Sequence, residues 1–228
     1  MPSNLSKKEL TDIIQWDVKN WKNALFFWEA HFDIRPGMKV LALGEREGGL
    51  SLYFAKKGCE VICTDYRALP DTTEEMHKNY NVADKITYAE VDMRNITYAN
   101  ETFDIVVFKS VIGALGNQEE QYKAISEIQR VLKKGGAFLF AENASASRIH
   151  RMMRKKFVKW EGKWYYVSDK EFDEWKTKFS KHYSKKIGFI AVFGRTERQR
   201  NFLGAIDSVL SRIIPKSWRY IFIGAYIK

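Results

Sequence analysis

Met38-Lys39-Val40-Leu41-Ala42-Leu43-Gly44-Glu45-Arg46-Glu47-Gly48-Gly49-Leu50-Ser51 reads as an apolar strand, a glycine-bearing turn and the start of a helix. Glu60-Val61-Ile62-Cys63-Thr64-Asp65 follows as a second apolar strand that ends in a carboxylate, 21 residues after Gly44. Glycines between a strand and a helix let backbone N–H groups approach a ligand. A carboxylate at the end of the next strand can accept hydrogen bonds from a ribose diol. The pair therefore predicts a site for a nucleoside-bearing cofactor.

Outward from this pair, strands and helices alternate. The apolar pattern predicts strands at 38–43, 60–65, 86–91, 103–108 and 137–142, with helices at 49–57, near 71–80 and at 117–132. Upstream, residues 6–33 read as helix, in two pieces, opened by a Ser6/Glu9 capping box and closed by Pro36-Gly37. Downstream, 146–160 is basic and helix-like, and Tyr165-Tyr166-Val167 is extended. Ser168, with Glu171 three residues on, opens a helix to about Phe179. A strand at 187–193, a helix at 196–214 and a strand at 218–227 complete the chain. The expected fold class is α/β: a doubly wound, mostly parallel seven-stranded sheet with an antiparallel edge. The expected organisation is a single domain. Residues 1–36 are a helical N-terminal segment, 37–143 the cofactor-binding core, 144–186 a basic acceptor lid and 187–228 a strand-helix-strand end.

The 228 residues are 45% apolar, enough for a real core, and no run approaches the about 18 consecutive apolar residues that span a bilayer. The N-terminus lacks the apolar stretch of a signal peptide, so the expected location is cytoplasmic. Cys59 and Cys63 fall in or beside a buried strand and read as free core thiols; no metal site is expected. Charge is unevenly placed. Residues 1–143 hold 18 Lys and Arg against 21 Asp and Glu, whereas residues 144–228 hold 20 against 7. A one-sided basic field implies an anionic partner: phosphate, nucleotide, nucleic acid or membrane surface.

The ordered set of motifs resembles the class I S-adenosylmethionine-dependent methyltransferases. It comprises the Leu41–Gly49 turn, Asp65, Asp92, the strand and turn Phe103-Asp104-Ile105-Val106-Val107-Phe108-Lys109-Ser110, and the helix-Gly-Gly-strand stretch from Ala124 through Gly135-Gly136 to Phe140. The resemblance covers residues 36–143 well and the remainder in topology. It implies a Rossmann-like fold and S-adenosylmethionine as cofactor. It places Gly44, Glu45, Arg46 and Gly48 under the methionine and sugar, Asp65 and Tyr66 at the ribose, Asp92 and Met93 at the adenine, and Lys109 and Ser110 on the floor near the sulfonium. Two positions depart from the family: Ala42 stands where an acidic residue is usual, and Arg46 where a glycine is usual. Glu45 or Glu47 is the candidate replacement for the missing carboxylate. A dehydrogenase is the rival, disfavoured because Gly44-x-x-x-Gly48 is not G-x-G-x-x-G. A domain that binds the cofactor without catalysis is a second alternative.

Methyl transfer to oxygen is helped by a base. The candidates are His150, in the segment after the fifth strand, Glu142 at the end of that strand, and Lys109 if burial lowers its pKa. His31, His77 and His182 read as surface or capping residues. Arg148, Arg151 and Arg154, with Arg195 and Arg198, are candidates for holding an anionic acceptor. The expected partner is a small, phosphate-bearing molecule. The region from Trp160 to Val167 and the stretch from Phe193 to Trp218 are similar to methyltransferases of bacterial surface-polysaccharide clusters, which implies a sugar or sugar-phosphate acceptor. RNA is the weaker alternative, with Trp160, Trp164 and Tyr165 available to stack bases. Docking to an anionic membrane is a third reading.

Overall fold

The computed structural model describes residues 5–158 and 164–228. Trp160 and Lys163, with their neighbours between 159 and 163, lie outside the described residues. Seven strands form one sheet: β1 (Lys39–Ala42), β2 (Glu60–Asp65), β3 (Ile86–Glu90), β4 (Phe103–Lys109), β5 (Leu132–Asn143), β6 (Lys181–Ile187) and β7 (Ile221–Ile227). Their order is β3-β2-β1-β4-β5-β7-β6. The first five are parallel, and β7 runs antiparallel between β5 and β6. The expected doubly wound sheet is therefore present, with two antiparallel strands at one edge.

Alternation along the strands sorts the core into two layers. Val40, Ala42, Ile105, Val107, Leu139, Ile223 and Ala225 face one side, with Ile13, Trp21, Trp28, Leu50 and Phe54. These come from α1 (Lys7–Ile14), α2 (Val18–Trp21), α3 (Asn23–His31) and α4 (Gly49–Lys56). α5 (Asp71–Asn79) packs Met76 on the same layer. Leu41, Val106, Phe108, Phe138, Phe140 and Phe222 face the other side, under Ile125 and Ile128 of α6 (Gln118–Val131) and Phe172 and Trp175 of α8 (Asp169–Lys176). Phe172 and Phe222 stack with centroids 3.8 Å apart. Burial of such rings on both faces of a parallel sheet is what excludes water from its strands.

Three sequence expectations are corrected. The N-terminal helical region breaks into three helices: Gln15 (φ 71°) and Asp17 (φ 44°) leave the helical region of backbone space between the first and second, and the second and third meet at Lys22. The strand expected at 187–193 lies instead at Lys181–Ile187. Gly188 ends it at φ 73°, where a Cβ would lie 2.7 Å from the Tyr220 ring, and 191–193 is a 3₁₀ turn. The strand itself carries Lys181, Lys185 and Lys186, charges that suit an edge rather than a core. β5 also begins earlier than expected, at Leu132, because the Gly135-Gly136 pair stays in the strand as an irregularity. Cys59 and Cys63 are free and buried, as expected.

Two further helices complete the substrate-side region: α7 (Arg148–Phe157) and α9 (Glu197–Leu210). Glu197 accepts from the backbone N–H groups of Asp17 and Val18, at 2.9 Å each, and so ties α9 to the start of α2.

Candidate active site

The C-terminal ends of β1, β2, β4 and β5 converge on one side of the sheet. The β1 turn is shaped by Gly44 (φ 66°) and Gly48 (φ 74°). A Cβ on Gly44 would lie 2.4 Å from Val111 Cγ1, so glycine lets the β1 and β4 loops touch. Arg46, also at positive φ (45°), donates its N–H to Asp65 Oδ2 at 3.0 Å. Among the described residues Asp65 Oδ1 has no partner, which leaves it open to a diol. Tyr66 beside it is 62% exposed, with the Arg94 guanidinium 5.9 Å from its ring.

Gly48 rests on a histidine. His77 is buried; its Nε2 is 2.9 Å from Gly48 O and its Nδ1 2.9 Å from Tyr88 Oη. A carbonyl only accepts, so Nε2 carries the proton. Burial pushes the His77 pKa down. The expected surface or capping role is corrected for His77, which pins the cofactor turn to α5 and β3. Exposed His182 and half-buried His31, whose Nδ1 faces Phe27 O at 2.8 Å, fit that role.

Glu45 commits one oxygen to backbone. Its Oε2 accepts from Ser51 N–H at 2.8 Å and so caps α4, and burial raises its pKa to about 7. Glu142 is likewise committed to backbone. Oε2 accepts from Val111 and Ile112 N–H at 2.8 and 3.0 Å, and Oε1 from Asn143 N–H at 2.6 Å. It fixes the β4 loop; with both oxygens engaged it is not placed to act as a base. Asp92 forms a pair with Arg94, 2.7 Å from Nη2 to Oδ2, and the same guanidinium reaches Glu120 at 3.0 Å. Met93 is buried beside it. Ser110 adopts φ 56° and its Oγ accepts from Asn143 Nδ2 at 2.7 Å.

Lys109, at the end of β4, lies between these carboxylates. Its Nζ is 5.3 Å from the Trp21 ring centroid and 5.9 Å from that of Trp16. Burial lowers its pKa to about 8, against the opposing pull of Glu45 and Glu142. A lysine with that pKa is a usable base near neutral pH. His150 is not so placed. It is buried against Phe193 and Tyr220, its Nε2 meets Phe189 O at 2.7 Å, and burial lowers its pKa to about 4. Its other nitrogen, Nδ1, is buried as well and reaches no partner among the described residues.

The candidate acceptor arginines divide. Arg154 is buried, with its guanidinium 3.8 Å from the Tyr166 ring and a bond to Ala144 O at 3.3 Å. Arg148, Arg151, Arg195 and Arg198 are exposed, and among the described residues none of the four forms an ion pair. Sequence reading also missed several site residues. Trp16, Asp17 and Trp21 do not stand out in the sequence as site candidates. Asp17 is buried, bonded to the Tyr220 hydroxyl and to Asn20 Nδ2 at 3.3 Å, and burial raises its pKa to about 7. The break of the helical pattern at Gln15–Asp17 is the only signal that marked it.

The family model described as a methyltransferase domain matches residues 41–140, the stretch from the β1 turn to the end of the β5 core. Residues 41–140, a little under half of the chain, are thus similar to a methyltransferase domain. The sarcosine/dimethylglycine N-methyltransferase of Aphanothece halophytica is 29% identical over 127 residues, 55% of this chain and 40% of that protein. The ubiquinone/menaquinone biosynthesis C-methyltransferase of Hydrogenovibrio crunogenus is 32% identical over 126 residues, 50% of this chain and 47% of that protein. The chain thus spans about half the length of the curated relatives it matches. Phosphoethanolamine N-methyltransferase 2 of Haemonchus contortus, solved with S-adenosyl-L-methionine, superposes with a TM-score of 0.64 at 17% identity, over 91% of this chain and 52% of that one. The likeness of fold extends past residue 140, where the match to the family model ends.

Proposed function

We propose that the protein methylates an oxygen of a small anionic acceptor, with Lys109 as the base. The observation that carries this reading is the Lys109 amine, held at a pKa of about 8 between Trp16, Trp21 and two carboxylates at the mouth of the domain. The cofactor supplies a methyl group on a cationic sulfur, which leaves neutral. The chain's own task is alignment and proton removal. Asp65 and the Gly44–Gly48 turn hold the nucleoside and methionine ends. Lys109 Nζ takes the acceptor's hydroxyl proton as the oxygen gains the methyl. The lysine's site also argues against an amine acceptor there. The lysine side chain itself already fills the aromatic surroundings that a substrate cation would need.

A sugar or sugar-phosphate precursor, which carries free hydroxyls, fits this chemistry. The phosphoethanolamine enzyme shows only that the fold is compatible with a phosphate-bearing acceptor. The test is transfer of a labelled methyl group from S-adenosylmethionine to a small-molecule extract and, separately, to total RNA. Label in an anionic small molecule is expected, with alkali-stable ether linkage to oxygen. Label in RNA, or on a nitrogen, overturns the reading.

A further inference from the structure

We propose that α7 and α9 form a docking surface for an anionic lipid bilayer. Ten large apolar side chains are exposed among the described residues, and eight of them lie from Ile149 to Ile213. That is the same region that holds 20 basic residues against 7 acidic ones from 144 onward. Exposed apolar surface and positive charge therefore coincide.

Their arrangement on the helices is regular. On α7, His150 and Arg154 point inward and are buried. Ile149, Met152 and Met153, at i, i+3 and i+4, form an outward apolar stripe; Ile149 is 59% and Met152 70% exposed. Arg148, Arg151 and Lys155 form an adjoining cationic stripe at i, i+3 and i+7, and α7 contains no acidic residue. On α9, Arg198, Phe202 and Val209 fall on one line with Ile213 in the turn beyond; Phe202 is 69%, Val209 66% and Ile213 77% exposed. Both helices border the same short segment. His150 and Phe157 of α7 meet the Phe193 ring at 5.1 and 6.3 Å, and Asp207 of α9 accepts from Ile190 and Ala191 N–H at 2.8 and 3.1 Å.

An apolar stripe flanked by cations is the pattern of a helix that lies in the headgroup region of a membrane. The chemistry disfavours the other anionic partners. Five of the seven exposed apolar side chains on α7, α9 and the turn beyond are Ile, Met or Val, which offer no face on which a nucleobase stacks; only Phe157 and Phe202 do. A second copy would bring one cationic surface against another. The proposal does not rest on the identity of the acceptor, since it concerns a surface outside the pocket.

Vesicle flotation tests it. The full chain is mixed with vesicles of pure phosphatidylcholine, or with vesicles in which roughly three in ten lipids are phosphatidylglycerol. Flotation with the anionic vesicles and not with the neutral ones is expected. Lys155→Gln with Lys156→Gln should weaken partition about thirtyfold, at about a fivefold loss per charge. Met152→Asp with Phe202→Asp should abolish flotation while melting temperature and S-adenosylmethionine affinity stay unchanged. If the double variant misfolds, Met152→Gln and Phe202→Gln singly should each reduce partition. Equal flotation with both vesicles, flotation with neither, or undiminished flotation of the Asp variant overturns the proposal. So does RNA binding, or a dimer in light scattering, that the same substitutions remove.

Discussion

Lys109 and Asp65 carry the most chemistry, and each gives a quantitative expectation. Lys109 is depressed to about 8 by burial, so the neutral, proton-accepting amine accumulates as pH rises through that value. Turnover with saturating cofactor should climb from pH 6 and level off above about 8. Lys109→Met should remove that limb and cost roughly a hundredfold or more in kcat. A flat profile in the wild-type enzyme would make Lys109 a structural cation instead. Asp65→Ala should weaken cofactor binding by about 1.5–3 kcal/mol, the scale of charge-assisted hydrogen bonds. Unchanged affinity by calorimetry would leave Asp65 only the bond from Arg46 N–H. Asp65 was legible because a strand ends there. Lys109 was legible only conditionally, since its role depends on a burial that no local pattern displays. Glu45, Glu142 and His150 were named for their chemistry and positions. Their partners, Ser51 N–H, the Val111–Asn143 backbone and Phe189 O, come from folding and turn them inward.

At the scale of elements, the β1 turn and the α2–α9 junction hold the pocket in shape. Gly48→Ala puts a Cβ 2.6 Å from His77 and Thr73 at a left-handed φ of 74°. It should destabilise the fold by about 1–2 kcal/mol and displace the turn, so that thermal melting and cofactor affinity fall together. A loss of stability with full affinity would show that His77 supports the helix rather than the turn. Glu197→Ala removes the acceptor of two N–H groups at the start of α2 and should cost about 1–2 kcal/mol in a denaturant melt, the scale of a lost helix cap. Elements with strong period were readable from sequence: β2 at 60–65 and the capped α6 and α8 lie within a residue or three of expectation. The strand at Lys181–Ile187 was not, because an exposed edge strand has no apolar alternation to display. The apolar run after it drew the expectation instead, and Gly188 bends that run away to pack on Tyr220.

Across the whole molecule, residues 41–140 and the rest of the chain differ in how they are specified. Residues 41–140 build the domain from backbone turns and strand ends, features that recur in order along the chain and match a family model. The surroundings of Lys109 and Asp17 are assembled from distant pieces of the chain. Trp16, Asp17 and Trp21 come from the N-terminus, Lys109 from β4 and Tyr220 from just before β7. No spacing rule links such residues, so the cage around Lys109 is visible only in three dimensions. The segregated charge, by contrast, was legible from composition, and folding divides it between a buried Arg154 and an exposed cationic surface. The central claim is that the Gly44–Asp65 unit is built for S-adenosylmethionine. Isothermal titration of the full chain with S-adenosylmethionine and with NAD tests it most directly. Saturable heat with the methionine cofactor and none with NAD is the predicted result, whereas tight NAD binding with no response to S-adenosylmethionine would contradict it.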